Sequence, residues 1–286
     1  MQDMDAAKRD TRRQRIRLRK RRRMAAWAVV AVLAVLLIIG IVKLIGWMFT
    51  PKYVESANIG PLPPTEDDPI VITTPPVYYD YGSQVPEAPP VDDSYFDSVL
   101  MIGDARVAGF PLFGYLPGAD YLVSDGISVD AIQSHSFDVN GASRTLSEQC
   151  AMKRYQAVYI QVGLNELGWP NTSAFVDSYA SLVDAIKTLA PDASIYMQAV
   201  IPMTAGKSGN PSYLTNEKVA EYNRLIQQIA EGRKVYFLNV AEGMSGGTGV
   251  LTSGYAASNG LSLTKEGYNK WIDYIRTHVV DKELYS

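Results

Sequence analysis

Five short apolar runs, separated by stretches whose apolar residues recur at helical spacing, restrict the fold more than any other feature of this chain. The runs are Ser98–Ile102, Tyr121–Val123, Ala157–Val162, Ser194–Val200 and Val235–Val240. Continuously apolar strands belong to sheets buried on both faces, which means parallel strands joined by covering helices. The helical stripes are equally plain. Phe175, Tyr179, Leu182, Val183, Ile186 and Leu189 form one, with Thr172 as its expected cap. Val219, Tyr222, Leu225, Ile226 and Ile229 form another, and Tyr268, Trp271, Ile272, Ile275 and Val279 a third behind Thr264. The expected fold is therefore α/β, a three-layer doubly wound (flavodoxin-like) parallel sheet of five strands. Ligands of such sheets sit in the crevice at the strands' C-terminal ends.

Charge divides the chain ahead of that domain. Residues 1–23 carry eleven Lys and Arg against three Asp, a local charge of +8, so the overall −3 leaves −11 for everything after Arg23. Met24 to Val42 contains no charged residue, and the apolar stretch continues past Lys43 to Phe49. At about 1.5 Å per residue this crosses a hydrocarbon core of roughly 30 Å. Trp27 and Trp47 mark the interfaces, and Lys43 can snorkel outward. The basic end places the N-terminus in the cytoplasm. A cleaved signal peptide is the competing expectation, but its apolar core is shorter and ends in a small-x-small site, which Gly46-Trp47-Met48-Phe49 does not supply. The basic run serves topology and anionic lipid, not nucleic acid.

Ten of the sixteen prolines fall between Pro51 and Pro90, where no apolar period is visible. This segment reads as an extended linker without a core of its own. The expected organisation is a basic cytoplasmic segment (1–23), one transmembrane anchor (24–49), a Pro-rich extracytoplasmic linker (50–92) and one folded domain (93–286). Cys150 is the only cysteine and sits in a helical stretch, so internal disulfides are excluded. His135 and His278 are the only histidines. No metal and no cofactor are expected.

Four short blocks carry chemistry. Gly103-Asp104-Ala105 ends the first strand, Gly126 follows the second, and Gly163-Leu164-Asn165-Glu166 ends the third. Asn259-Gly260-Leu261-Ser262-Leu263-Thr264 precedes the last helix. In order and spacing they resemble the blocks of the SGNH/GDSL hydrolases, over essentially all of 93–286. The resemblance implies a nucleophilic serine at 105, an aspartate at 259 and a histidine at 262. This chain has Ala105, Asn259 and Ser262 there. A methyl group cannot attack a carbonyl, a serine hydroxyl cannot take a proton near neutral pH, and an amide cannot steady an imidazolium.

The resemblance also implies an oxyanion hole made by the Ala105 and Gly126 N–H groups and the Asn165 side chain. Without a nucleophile those donors form a polar pocket for a carbonyl, carboxylate or acetyl oxygen. Gly103, Gly126 and Gly163 are explained equally well as strand-end turns. Asp104 and Gly163 count with those donors as binding candidates, and Arg106, after the nucleophile position, is either an anion contact at the crevice or a surface arginine. Phe110, Phe113, Tyr115 and Trp169 are either an aromatic rim or core. Asn171-Thr172-Ser173 matches a glycosylation acceptor, although Thr172 serves as cap. The glycine-rich stretch 243–249 is a flexible loop, since no Lys-Ser/Thr pattern follows it. The expected function is that of a membrane-anchored, extracytoplasmic, catalytically inactive hydrolase relative that binds an acylated cell-envelope glycan or a protein partner. The alternative is an active esterase or deacylase with a relocated nucleophile, Ser124 or Ser128, using Asp104, Asp125 or Glu166 as acid or base.

Overall fold

Each of the five apolar runs forms a strand. The computed structural model describes residues 78–113 and 115–285. In chain order its strands are β1 (Val99–Gly103), β2 (Asp120–Val123), β3 (Phe137–Val139), β4 (Ala142–Arg144), β5 (Ala157–Gln161), β6 (Ser194–Gln198) and β7 (Tyr236–Leu238). Five of them pair in parallel in the order β2-β1-β5-β6-β7, the order of doubly wound sheets, while β3 and β4 make a separate hairpin. Val99 lies opposite Ala157 and Leu100 opposite Asp120, which aligns the C-terminal ends of β1, β2 and β5. Every residue of β1, β5 and β6 is buried. Burying one Val, Leu, Ile or Phe side chain contributes roughly 1.5–3 kcal/mol, so these strands anchor the domain.

Among the described residues six α-helices flank the sheet: α1 (Ala105–Leu112), α2 (Leu146–Met152), α3 (Thr172–Leu189), α4 (Asn216–Arg233), α5 (Val240–Ser245) and α6 (Lys265–Thr277). The expected stripes face inward, with Phe175, Tyr179, Leu182, Val183 and Ile186 buried on α3 and Tyr268, Trp271, Ile272 and Ile275 on α6. Val279 lies beyond the end of α6. Thr264 caps α6 by accepting the Gly267 N–H, and Thr145 and Glu148 form a reciprocal capping box on α2. On α3 the cap is Asn171, not Thr172. Asn171 has extended backbone angles and its Oδ1 accepts the Ser173 N–H at 2.8 Å, so Thr172 is the first helical residue.

Two features depart from the sequence expectation. The β3–β4 hairpin was not foreseen, although Asn140-Gly141, both at positive φ, is the turn such hairpins favour. The other is the end of the linker, which is ordered and packed. Gln84 forms a parallel bridge to Phe237, and the Val85 N–H donates to the Phe237 carbonyl at 2.9 Å. The Ala88 and Val91 N–H groups donate to the carbonyls of Thr277 and Arg276. Val85 is fully buried, so the folded unit begins ahead of Asp93 and this segment covers the β7 edge. Among the described residues no helix is long and apolar enough to cross a membrane. The basic segment 1–23, the expected span 24–49 and the linker up to residue 77 lie outside them.

Candidate functional site

The end of β1 delivers the chain into a turn that only glycine permits. A Cβ on Gly103 would lie 2.3 Å from Val107 Cγ2 and 2.6 Å from the Gln161 carbonyl. Asp104 then caps α1, its Oδ1 accepting the Arg106 N–H at 2.9 Å. Ala105 is the first helical residue and is exposed, with an N–H that has no partner within the helix. Its surroundings form a crevice of about 330 Å³ at the C-terminal edge of the sheet. Asp104, Ala105, Arg106, Asn165 and Ser262 all line it, together with Asp125. Its apolar wall is Leu112, Phe113, Leu164, Leu261, Leu263 and Tyr268.

Of that wall, sequence reasoning singled out only Phe113, as rim or core. Leu112 and Phe113 are 77% and 57% exposed, unusual for large apolar residues, and close α1 just after Pro111. Phe113 and Tyr115 pack on the Tyr268 ring at 5.5 and 5.9 Å. Phe110, in contrast, is core, and Trp169 packs on the core without lining the crevice.

The remaining predicted residues separate. Asn259 does not line the crevice but holds Ser262, its Nδ2 donating to Ser262 Oγ at 2.9 Å. Asn165 spends one amide N–H on the Ile127 carbonyl at 2.8 Å. Gly126 has φ +71 and an open side, and Gly163 has φ +129 with Val200 Cγ2 only 2.6 Å from a would-be Cβ. Neither lines the crevice, and for Gly163 the turn explanation suffices. Ser128 Oγ donates to Asp130 Oδ1, and neither Ser124 nor Ser128 lines the crevice. His278 stacks on Tyr274 at 3.7 Å and bonds its carbonyl at the end of α6, while His135 lies edge-on to Phe137. No histidine reaches the crevice.

Arg106 is neither a surface residue nor an open anion contact. It is 4% exposed, and its guanidinium donates to the Ile201, Pro202 (3.3 Å) and Leu261 carbonyls, the last through Nε at 3.2 Å and Nη2 at 2.9 Å. It clamps the loop after β6 and the loop before α6 onto α1. Burial pulls the guanidinium below its ordinary range, opposed by the Asp104 charge. Burial likewise pushes the Asp104 carboxyl up, and Arg106 only partly offsets this. Glu166 is fully buried in the turn after β5, and desolvation raises its carboxyl to about 7 despite the Val129 N–H donated to Oε1 at 2.6 Å. One oxygen of each, Asp104 Oδ2 and Glu166 Oε2, is buried without a partner among the described residues. Among those residues no group of His, Cys, Asp or Glu could hold a metal ion.

Comparison with known proteins agrees with this architecture. The model of the GDSL-like lipase/acylhydrolase family matches residues 102–270. No curated protein matches in sequence. Among solved structures, a protein assigned as an acylhydrolase from Bacteroides fragilis aligns at 17% identity and TM-score 0.50, over 68% of this chain and 89% of that one. A GDSL-like lipase from Bacteroides thetaiotaomicron aligns at 18% identity and TM-score 0.47, over 66% and 89%. A catalytic mutant of an acetylxylan esterase from Geobacillus stearothermophilus aligns at 15% identity and TM-score 0.47, over 64% and 94%.

Proposed function

The chain belongs to the GDSL-like lipase/acylhydrolase family, and from that premise we propose that it is a membrane-anchored, extracytoplasmic binding protein whose crevice has given up hydrolysis. The observation that carries this is the content of the crevice: a methyl group at Ala105 and a hydroxyl at Ser262, with no imidazole within it. Acyl transfer needs an activated nucleophile, and the crevice offers no imidazole to activate the Ser262 hydroxyl, which accepts the Asn259 amide N–H instead. What remains suits recognition. The Ala105 N–H and the free Asn165 N–H can hold a carbonyl oxygen, while Leu112, Phe113 and Tyr268 offer an apolar wall for the attached group.

Charge narrows the ligand further. Among the described residues the only cation lining the crevice is Arg106, and its donors are taken by backbone carbonyls. Asp104 and Asp125 are the other charged groups there. A carboxylate or phosphate would meet two carboxyl groups and no open cation, so the ligand is a neutral acylated compound such as an O- or N-acetylated envelope glycan. The test has two arms on the full chain in detergent. The chain should bind acetylated chito-oligosaccharides, lose that binding on Ala105→Trp, and fail to hydrolyse aryl acetates. Turnover by the unaltered chain would show an active esterase, and binding unaffected by Ala105→Trp would remove the crevice as the site.

A further inference from the structure

A second concavity lies at the opposite edge of the sheet, where β6 and β7 begin. Ser194, Ile195, Val235 and Tyr236 form its floor, and it encloses about 370 Å³. Its walls are tyrosines. Tyr79 sits with its ring 5.0 Å from Tyr81, 4.9 Å from Tyr236 and 5.2 Å from Tyr285, each edge-on, and Tyr78 stands 72% exposed at the mouth. Core packing accounts for Tyr236, which is buried, but not for Tyr78. The segment at 78–81 and the C-terminal Tyr285 come from opposite ends of the domain and converge here.

Lys187, Lys234 and Lys282 line the same concavity, and among the described residues no Asp or Glu does. Lys187 and Lys282 donate to the carbonyls of Arg233 and Asp192, and none of the three lysines has a carboxylate partner among the described residues. Carboxylates close in sequence do not line the concavity: Asp281, beside Lys282, accepts the Glu283 N–H at 2.9 Å, and Asp184, ahead of Lys187, pairs with Arg233 at 2.9 Å. Asp80 accepts the Gly82 N–H at 3.0 Å, and Asp192 faces Arg154 at 3.6 Å. Lysines at helix C-termini are favoured by the helix dipole in any case, which accounts for Lys187 and Lys234 singly. It does not account for three cations meeting with no counter-charge from the described residues, in a chain that is net acidic beyond its first residues. The Tyr79 hydroxyl is also buried without a partner among the described residues, because Ser83 Oγ donates to the Asp80 carbonyl instead.

We propose that this tyrosine-walled, lysine-lined concavity is a second ligand site, separate from the crevice, for a phosphorylated sugar or polyol. The lysines supply point charges for the phosphate, the tyrosine faces stack on the ring, and the Tyr79 hydroxyl gains a partner. The same chemistry is presented by a soluble sugar phosphate and by a glycerophosphate headgroup, so the probes separate the two.

Calorimetric titration of the full chain in nonionic detergent should show saturable binding of glucose 6-phosphate, with glucose and inorganic phosphate each binding more weakly. Glycerol phosphate binding as well as glucose 6-phosphate would support the site with a headgroup as its natural occupant. The variant Lys187→Gln/Lys234→Gln/Lys282→Gln, three exposed changes that spare the core, should weaken binding roughly tenfold, since exposed charge pairs contribute modestly each. Added salt should weaken it in the unaltered chain more than in the variant. Tyr78→Ala should weaken the sugar phosphate and leave inorganic phosphate unchanged. Absence of saturable binding by both phosphorylated probes, or equal affinity in the lysine variant, would overturn the proposal. Neither outcome bears on the crevice.

Discussion

Asn259 donates its side-chain amide to Ser262 Oγ at 2.9 Å while its Oδ1 accepts the N–H groups of Leu261 and Ser262 at 2.9 and 2.8 Å. The pair is fixed by a local turn, so its geometry persists whatever chemistry takes place beside it. An amide donating to a hydroxyl leaves that hydroxyl as acceptor, and neither group can relay a proton at neutral pH. By the proposed correspondence these are the positions of an orienting acid and a base, held in place but chemically silent.

Restoring the side chains should therefore restore some chemistry. The variant Ala105→Ser/Asn259→Asp/Ser262→His supplies nucleophile, orienting carboxylate and base, and aspartate keeps the oxygen that accepts both backbone N–H groups. Because such groups act as a unit, each single change should give no measurable turnover of an aryl acetate. The triple variant should exceed background by about 100-fold, well below a natural enzyme, because small misplacements cost heavily. A folded triple variant without turnover would show that the crevice no longer presents a carbonyl to residue 105.

Arg106 should be needed for stability more than for ligand charge. Its guanidinium serves three carbonyls from two loops, and the single ammonium of Arg106→Lys cannot replace that fork. Leaving buried carbonyls unpaired predicts a loss of about 3 kcal/mol in urea unfolding, with the loops at Ile201 and Leu261 losing amide exchange protection first. A loss under about 1 kcal/mol would mean that water takes over these carbonyls.

The five strands were legible because parallel strands buried on both faces leave continuous apolar runs, and Ala157–Gln161 is buried at every position. The crevice was legible at Ala105, Asn165 and Ser262 because each sits at a fixed place beside a strand or helix end. Arg106 was not, since the carbonyls it serves at Ile201, Pro202 and Leu261 come from loops remote in sequence. Phe113 stood open between rim and core, and Leu112 carried no signal, until their exposure was known. The segment at 78–92 was illegible for another reason. It docks through single residues, Val85 above all, and one bridge, so no period announces it.

That docking gives a direct test. A fragment beginning at Asp93 loses the buried Val85, the tyrosine contacts of Tyr79 and Tyr81, and the cover over the β7 edge. It should be less stable than one beginning at Tyr78 by roughly 3 kcal/mol and more prone to associate through the bared edge. Val85→Ala in the longer fragment should account for about 1–2 kcal/mol of this. Equal melting of the two fragments would return the segment to the linker.

The last prediction concerns pH. Glu166 carries a carboxyl raised by burial to about 7, well above its ordinary 4.5. A carboxyl that binds its proton more tightly when folded stabilises the fold most fully below its unfolded pKa. That contribution fades as pH rises through about 7, on the order of 3 kcal/mol in all. Asp104, also raised, acts in the same direction, so the unaltered protein combines both. Glu166→Gln keeps an acceptor for the Val129 N–H and places an amide where Oε2 has no partner. Its stability should therefore fall less steeply between about pH 4.5 and 7, and the difference between the two curves isolates Glu166. Urea midpoints measured across that range read the effect directly. Parallel curves would mean that Glu166 titrates alike in the folded and unfolded chains, and that water reaches its second oxygen.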